Sequence, residues 1–208
     1  MFSFSQQENV PFYIAYLNQK ADEILAIAKT YPEPVFIAID GRCASGKTSL
    51  ASILEAKGAR VVHMDDYFPR VEQRTKERFE EPGGNLDRER VEEEVLIPLK
   101  EGKNGVVHPF DCTRMELSER KWEIEPKGII IFEGSYSLHP ELRKYYDFSV
   151  FMDVLPEEQL DRILERNGEK KLEMFKSRWI PFEEKYFSAF GVKGYADLYI
   201  NTSMTDEF

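Results

Sequence analysis

The chain has 208 residues, a formal net charge of −10 and 42% hydrophobic residues. That length suits one α/β domain with a full core, and the acidic balance argues against a nucleic-acid backbone or an anionic membrane as the main partner. No apolar run approaches the roughly 18 residues of a membrane helix, and the start, Met1 to Glu8, lacks a basic-then-apolar leader layout, so a cytoplasmic location is expected.

Tyr13 to Thr30 carries apolar residues at helical spacing (Ile14, Leu17, Ala21, Ile24, Leu25, Ala28) and stops before Tyr31-Pro32-Glu33-Pro34, where prolines forbid continuation. Val35 to Ile39 reads as a buried strand, 48–56 as a helix ended by Gly58, and Arg60 to Met64 as a second strand. The stretch from Tyr67 to Asn85 is charged and rich in Pro and Gly, so a loop is expected there before a helix over 87–100. Val106 to Phe110 and Lys121 to Ile124 look like short edge strands, whereas Ile129 to Phe132 and Phe148 to Met152 look central. Helices over about 157–166 and 169–190 and a last strand, Leu198 to Ile200, complete an alternation that implies a mostly parallel sheet covered on both faces.

Gly41-Arg42-Cys43-Ala44-Ser45-Gly46-Lys47-Thr48 fits the pattern G-x-x-x-x-G-K-[ST] and lies between a strand and a helix. Glycines at those positions let successive N–H groups and the following helix N-terminus point at phosphate oxygens. Lys47 would neutralise phosphate charge, and Thr48 would offer its hydroxyl to Mg²⁺. Cys43 and Cys112 have neither disulfide nor metal-ligand spacing, and His63, His108 and His139 share no metal-like spacing.

Carboxylates just after parallel strands face such a loop. Asp40 reads as a cap of the loop itself. Of the adjacent Asp65 and Asp66, only one can readily face the phosphates, because successive side chains alternate faces; a carboxylate there could take the proton of an attacking hydroxyl. Glu133 and Asp153 both follow apolar strands and compete for a metal role that sequence pattern does not divide between them. Arg162 and Arg166, four apart on one helix face and followed by Lys170 and Lys171, read as a closing lid or as a solvated face. Trp179, Phe182, Tyr186, Phe187 and Phe190 read as packing surface.

Taken in order, these residues resemble the uridine kinase-like branch of P-loop kinases, which also includes nicotinamide riboside kinases, phosphoribulokinases and bacterial-type pantothenate kinases. Gly41 to Thr48 is similar to its phosphate loop, His63 to Phe68 to its D-[SD]-[FY]-[FY] segment and Asn85-Leu86-Asp87 to its N-[FY]-D segment. Phe110-Asp111 resembles its [YF]-D, Ile131-Phe132-Glu133-Gly134 its strand-E-G and Tyr195 to Ile200 its closing Y-A-D strand. The resemblance spans about residues 35–200. It departs in two places: Cys112 to Met115 replace a segment that holds a His in the family's nucleoside kinases, and Asp161 to Asn167 has one Arg fewer than the usual R-R-x-x-R-D.

The resemblance implies a P-loop NTPase fold: a single three-layer α/β/α sandwich with a mostly parallel sheet, a small edge hairpin and a lid over about 162–172, preceded by an N-terminal helical extension over 1–34 that serves packing or dimerisation. It implies ATP with Mg²⁺, and transfer of the γ-phosphoryl to a primary hydroxyl of a nucleoside or related sugar-containing metabolite. Asp65 would be the base. Residues 41–49, Ser49 included, would bind the nucleotide, and Thr48 with Glu133 the metal. Tyr67, Asp87, Phe110 and Arg162 would join Asp65 around the acceptor, and Arg162 with Arg166 would close over the transferring group. The expected partner is a small-molecule acceptor, without nucleic acid or membrane and with homo-oligomerisation left open. A nucleotide-binding regulatory ATPase or a weakly catalytic scaffold is the other reading.

Overall fold

A computed structural model describes residues 4–203. The N-terminal helix α1 (Phe4–Ala28) leads into β1 (Val35–Gly41), α2 (Lys47–Ala56) and β2 (Arg60–His63). Four short strands follow, β3 (Gly105–Val107), β4 (Phe110–Asp111), β5 (Glu116–Leu117) and β6 (Trp122–Ile124), and then β7 (Ile129–Glu133), β8 (Phe148–Asp153) and β9 (Leu198–Asn201). The main sheet has five parallel strands in the order β2-β7-β1-β8-β9. The edge strands do not join it: β3 pairs with β6 and β4 with β5 in two separate antiparallel ladders, because His108-Pro109 interrupts the run expected to be one strand.

Alternation along β1 makes the three layers. Phe36 and Ala38 face Val91, Val95, Leu96 and Leu99 of the helix over 88–100, while Val35, Ile37 and Ile39 face α1 and α2. Leu17, Ala21, Ile24 and Ala28 of α1 are fully buried in that second layer beside Leu50 and Leu54 of α2. The N-terminal extension is thus a packing element of the main core. Leu17→Ala is expected to cost about 2–5 kcal/mol.

The segment expected to be a loop over 67–85 contains a short helix, Lys76–Glu80, whose cap Thr75 accepts from the Arg78 N–H. Arg78 donates both arms of its fork to Glu89 at 2.7 Å and also reaches the carbonyls of Gly84 and Leu86. Burial alone would raise the Glu89 carboxyl, but this fork brings it down to about 2. Among the described residues no helix is long and apolar enough to cross a membrane.

Candidate active site

The phosphate loop leaves β1 at Gly41, with φ +140°, where a Cβ would stand 1.9 Å from the Met152 carbonyl oxygen; only glycine lets β1 run this close to β8. Ala44 holds a positive φ of 62°, a conformation that costs roughly 1 kcal/mol or more in a non-glycine residue. Its surroundings fix it. The carbonyls of Cys43, Ala44 and Ser45 are drawn outward by Gln159 Nε2 (3.0 Å), Arg162 Nη1 (3.1 Å) and Thr202 Oγ1 (2.8 Å). Of the loop amides, those of Arg42 and Ser45 donate to the carbonyls of Met152 and Arg42, both at 3.1 Å. α2 begins at Gly46 (φ +93°) without a side-chain cap, so its first-turn N–H groups have no intrahelical acceptor.

Two observations bear on what this cradle can take up. The Cys43 N–H already donates to an anion, the Glu183 carboxylate, at 2.9 Å. Ser45 Oγ is buried with no hydrogen-bond partner. Lys47 folds over the loop, its Nζ 2.8 Å from the carbonyls of Gly41 and of Arg42, and is nearly buried. Burial pushes the Cys43 thiol up, which opposes any nucleophilic role for it.

Asp40, expected to cap the loop, does more than that. Its buried carboxylate accepts from the N–H groups of Gly41 (2.7 Å), Tyr136 (3.2 Å) and Leu138 (2.8 Å) and from the Tyr186 hydroxyl (2.8 Å). It ties the loop to the turn after β7 and to the helix over 180–190. Burial raises its pKa to about 6 against the pull of the Leu138 N–H, the Tyr186 hydroxyl, the Lys47 charge and the Gly41 N–H.

The strand ends separate the carboxylates that sequence left together. In the β2–β7 register His63 stands opposite Glu133, and His63 Nδ1 lies 2.6 Å from Glu133 Oε1. The same oxygen accepts from Thr48 Oγ1 at 3.4 Å, so hydroxyl and carboxylate converge on the phosphate-loop side. The Glu133 hydrogen bond raises the His63 pKa, with burial acting the other way. Asp153, at the end of β8, is instead taken up by Arg42 Nε (2.7 Å), Lys193 Nζ (2.9 Å) and Tyr199 Oη (3.0 Å). Burial raises its carboxyl, but these donors and the Val154 N–H outweigh it and bring it below the ordinary value.

Asp65 lies in the turn Met64–Asp66 after β2 and opens into the cleft. No described residue hydrogen-bonds its carboxylate. Desolvation in the cleft and the Glu133 charge raise its pKa, while Lys47, His63 and Arg166 lower it. Asp65 borders a cavity of about 140 Å³ that it shares with Asn85, Ser135 and Glu183; Asp66 does not reach it. Aromatic side chains of Phe68, Tyr136, Phe175 and Trp179 form much of the remaining wall. Glu183 joins cavity and loop, accepting from Ser135 Oγ at 2.6 Å and from the Cys43 N–H.

Three residues expected at the acceptor lie away from this cavity. Asp87 is fully buried and caps the helix over 88–100, both carboxylate oxygens taken by Arg70 Nε (2.9 Å) and Gln73 Nε2 (2.9 Å). Tyr67 is fully buried beneath the Arg90 guanidinium, 5.0 Å from its ring. Phe110 is buried in the β4–β5 ladder under Arg74. None of the three borders the cavity. Arg162 is likewise bound on the far side of the loop, to Ala44, Glu158 and Thr202 and over the Tyr13 ring, whereas Arg166 is exposed and lies near enough to act on Asp65. Thr48 and Ser49 sit exposed on the first turn of α2.

Sequence reasoning missed Glu183 and Ser135 and took Trp179 for packing. The signal was Phe175, Trp179 and Glu183 at steps of four, a spacing that puts them along one helix face; the stretch Phe175–Trp179 is itself π-helical.

A parallel sheet flanked by helices, with a phosphate loop between its first strand and the next helix, is the three-layer architecture of a P-loop kinase. The chain is uridine kinase-like in sequence as well. It is 28% identical over 149 residues to the uridine kinase of Macrococcus caseolyticus, covering 65% of this chain and 69% of that one. It is 25% identical over 185 residues to the uridine kinase of Ligilactobacillus salivarius, covering 81% and 85%. A solved structure described as a possible uridine kinase from Bacillus stearothermophilus matches in fold with a TM-score of 0.66 at 24% identity, over 92% of this chain and 99% of that one. No family model matches the chain.

Proposed function

We propose that the protein is an ATP-dependent kinase that phosphorylates a primary hydroxyl of a small acceptor, a nucleoside or another sugar-containing metabolite. The observation that carries this reading is the placement of a carboxylate without hydrogen-bond partners, Asp65, in a cavity next to the phosphate loop and the Thr48–Glu133 pair. Bound Mg·ATP would supply the transferable phosphoryl group and the ion that offsets its charge.

The residues divide that task. The loop amides and Lys47 hold the terminal phosphates, and Thr48 with Glu133 form a two-ligand oxygen site of the kind Mg²⁺ accepts while keeping several waters. Asp65 takes the proton from the acceptor hydroxyl as that oxygen approaches phosphorus. Arg166, exposed on the Pro156–Asn167 helix, meets charge on the transferring oxygens. Arg162 serves as a clamp on the loop rather than as a lid group. A regulatory ATPase or scaffold is not favoured, because the relatives are kinases.

The test is ADP release from Mg·ATP across a panel of nucleosides, sugars and phosphosugars. One acceptor raising the rate far above background supports the reading. Acceptor-independent hydrolysis alone would sink it.

A further inference from the structure

We infer that the acceptor bears a protonated amine, and that the cavity between Asp65 and Glu183 is the subsite that reads it. The inference rests on the kinase reading for the hydroxyl chemistry, but the binding step stands by itself.

The wall of the cavity carries two formal charges, both negative, and among its described lining residues there is no Lys, Arg or His. Glu183 is almost fully buried and accepts from the Cys43 N–H and the Ser135 hydroxyl, with the Cys43 thiol also bonded to it, which leaves part of the carboxylate's acceptor capacity for a ligand. Asp65 receives no hydrogen bond from any described residue. A ligand that fills the space expels the water that solvates both carboxylates. A neutral ligand brings no charge of its own to offset theirs, an anionic ligand adds repulsion, and a cation offsets it. The nearby cations lie outside the cavity wall: Lys47 is folded on the loop carbonyls, His63 is bonded to Glu133, Arg166 is exposed, and Arg178 lies over the Trp179 ring, 4.7 Å from its centre.

The rest of the wall agrees. Phe68, Phe175 and Trp179 are each only half-buried, and with Tyr136 they present ring surface to the cavity, the surroundings in which an ammonium is held against aromatic faces. A volume of about 140 Å³ lies well below that of a pocket for a drug-sized ligand, so the space fits a small aminated group near the reacting hydroxyl. The same features disfavour phosphosugars and carboxylated alcohols.

The test uses three matched probes with primary hydroxyls: serinol, glycerol and glycerate, which differ in carrying an ammonium, a hydroxyl or a carboxylate. The full-length protein with Trp122→Phe retains Trp179 as its one tryptophan, and its emission is titrated without nucleotide. Serinol is expected to bind about tenfold more tightly than glycerol, with glycerate weakest. Glu183→Gln is expected to bring serinol and glycerol close together, and Trp179→Leu, followed by calorimetry, to weaken serinol. Equal affinities, no binding of any probe, or preference for glycerate would overturn the inference. Serinol binding without ATP-dependent phosphorylation of any acceptor would leave the subsite standing and remove the kinase reading. Phosphorylation of a neutral acceptor at a KM unmoved by Glu183→Gln would do the reverse.

Discussion

Two sides of the phosphate loop differ in how their charges are used. On the β8–β9 side every named charge has a protein partner: Asp153 holds Arg42 and Lys193, and Arg162 holds Glu158 and the carbonyls of Ala44 and Thr202. On the β2–β7 side Asp65 has no described hydrogen-bond partner, Arg166 is exposed, and Glu133 meets Thr48 and His63 beside a cavity. The two sides begin from the same pattern, an acidic residue ending a buried parallel strand. The two sides differ in how far other parts of the chain take up the acids, and the proposed chemistry falls on the side where Asp65 is left open.

The sharpest break of this comparison is at Asp65. Asp65→Asn is expected to lower acceptor turnover by about 10²–10⁴-fold with little change in the KM for ATP, as steady-state kinetics will show. Next is the pair of strand-end acids. Glu133→Gln is expected to cut turnover by about tenfold or more and to raise the Mg²⁺ needed for half-maximal rate. Asp153→Asn should instead cost about 1–3 kcal/mol in urea unfolding, through Arg42 and Lys193 losing their carboxylate, with kcat near that of the parent. The two arginines repeat the contrast more gently. Arg166→Met is expected to lower kcat by about tenfold, whereas Arg162→Met releases the strained Ala44 turn and shows first as lower stability and a raised KM for ATP.

The smallest effect is on pH. Asp65 must be charged to accept a proton, and its pKa is raised above the usual 3.8, so turnover falls as pH drops through that raised value. The acid limb therefore lies above that of a free aspartate. Removing the Arg166 charge, which lowers the Asp65 pKa, moves the limb further up in the Arg166→Met profile.

The loop and the main strands were legible because their signals are local: a fixed glycine spacing after an apolar run, and periodicity within each element. β1, β7 and β8 fall within a residue or two of their expected bounds. The choice between Glu133 and Asp153 was not legible, since the groups that occupy Asp153 lie 111, 40 and 46 residues away in sequence. The partners of Asp87 were not legible either: Arg70 and Gln73, which fold onto its carboxylate, lie 17 and 14 residues away in sequence. The segment over 67–85 was read as loose because its charges were read singly, and Arg78 binds several of its turns at once. Glu183 is hidden in a helix whose aromatic residues dominate its pattern, and its place beside Phe175 and Trp179 in the cavity wall shows only once the helix packs against Ser135 and Cys43.

The most direct test is a side-by-side measurement of acceptor-dependent ADP release from Mg·ATP for the parent, Asp65→Asn and Asp153→Asn, each checked for folding by circular dichroism. The structure predicts that Asp65→Asn loses turnover while Asp153→Asn, once folded, keeps it. Equal losses in the two variants, or loss confined to Asp153→Asn, would contradict the assignment of the chemistry to the β2–β7 side.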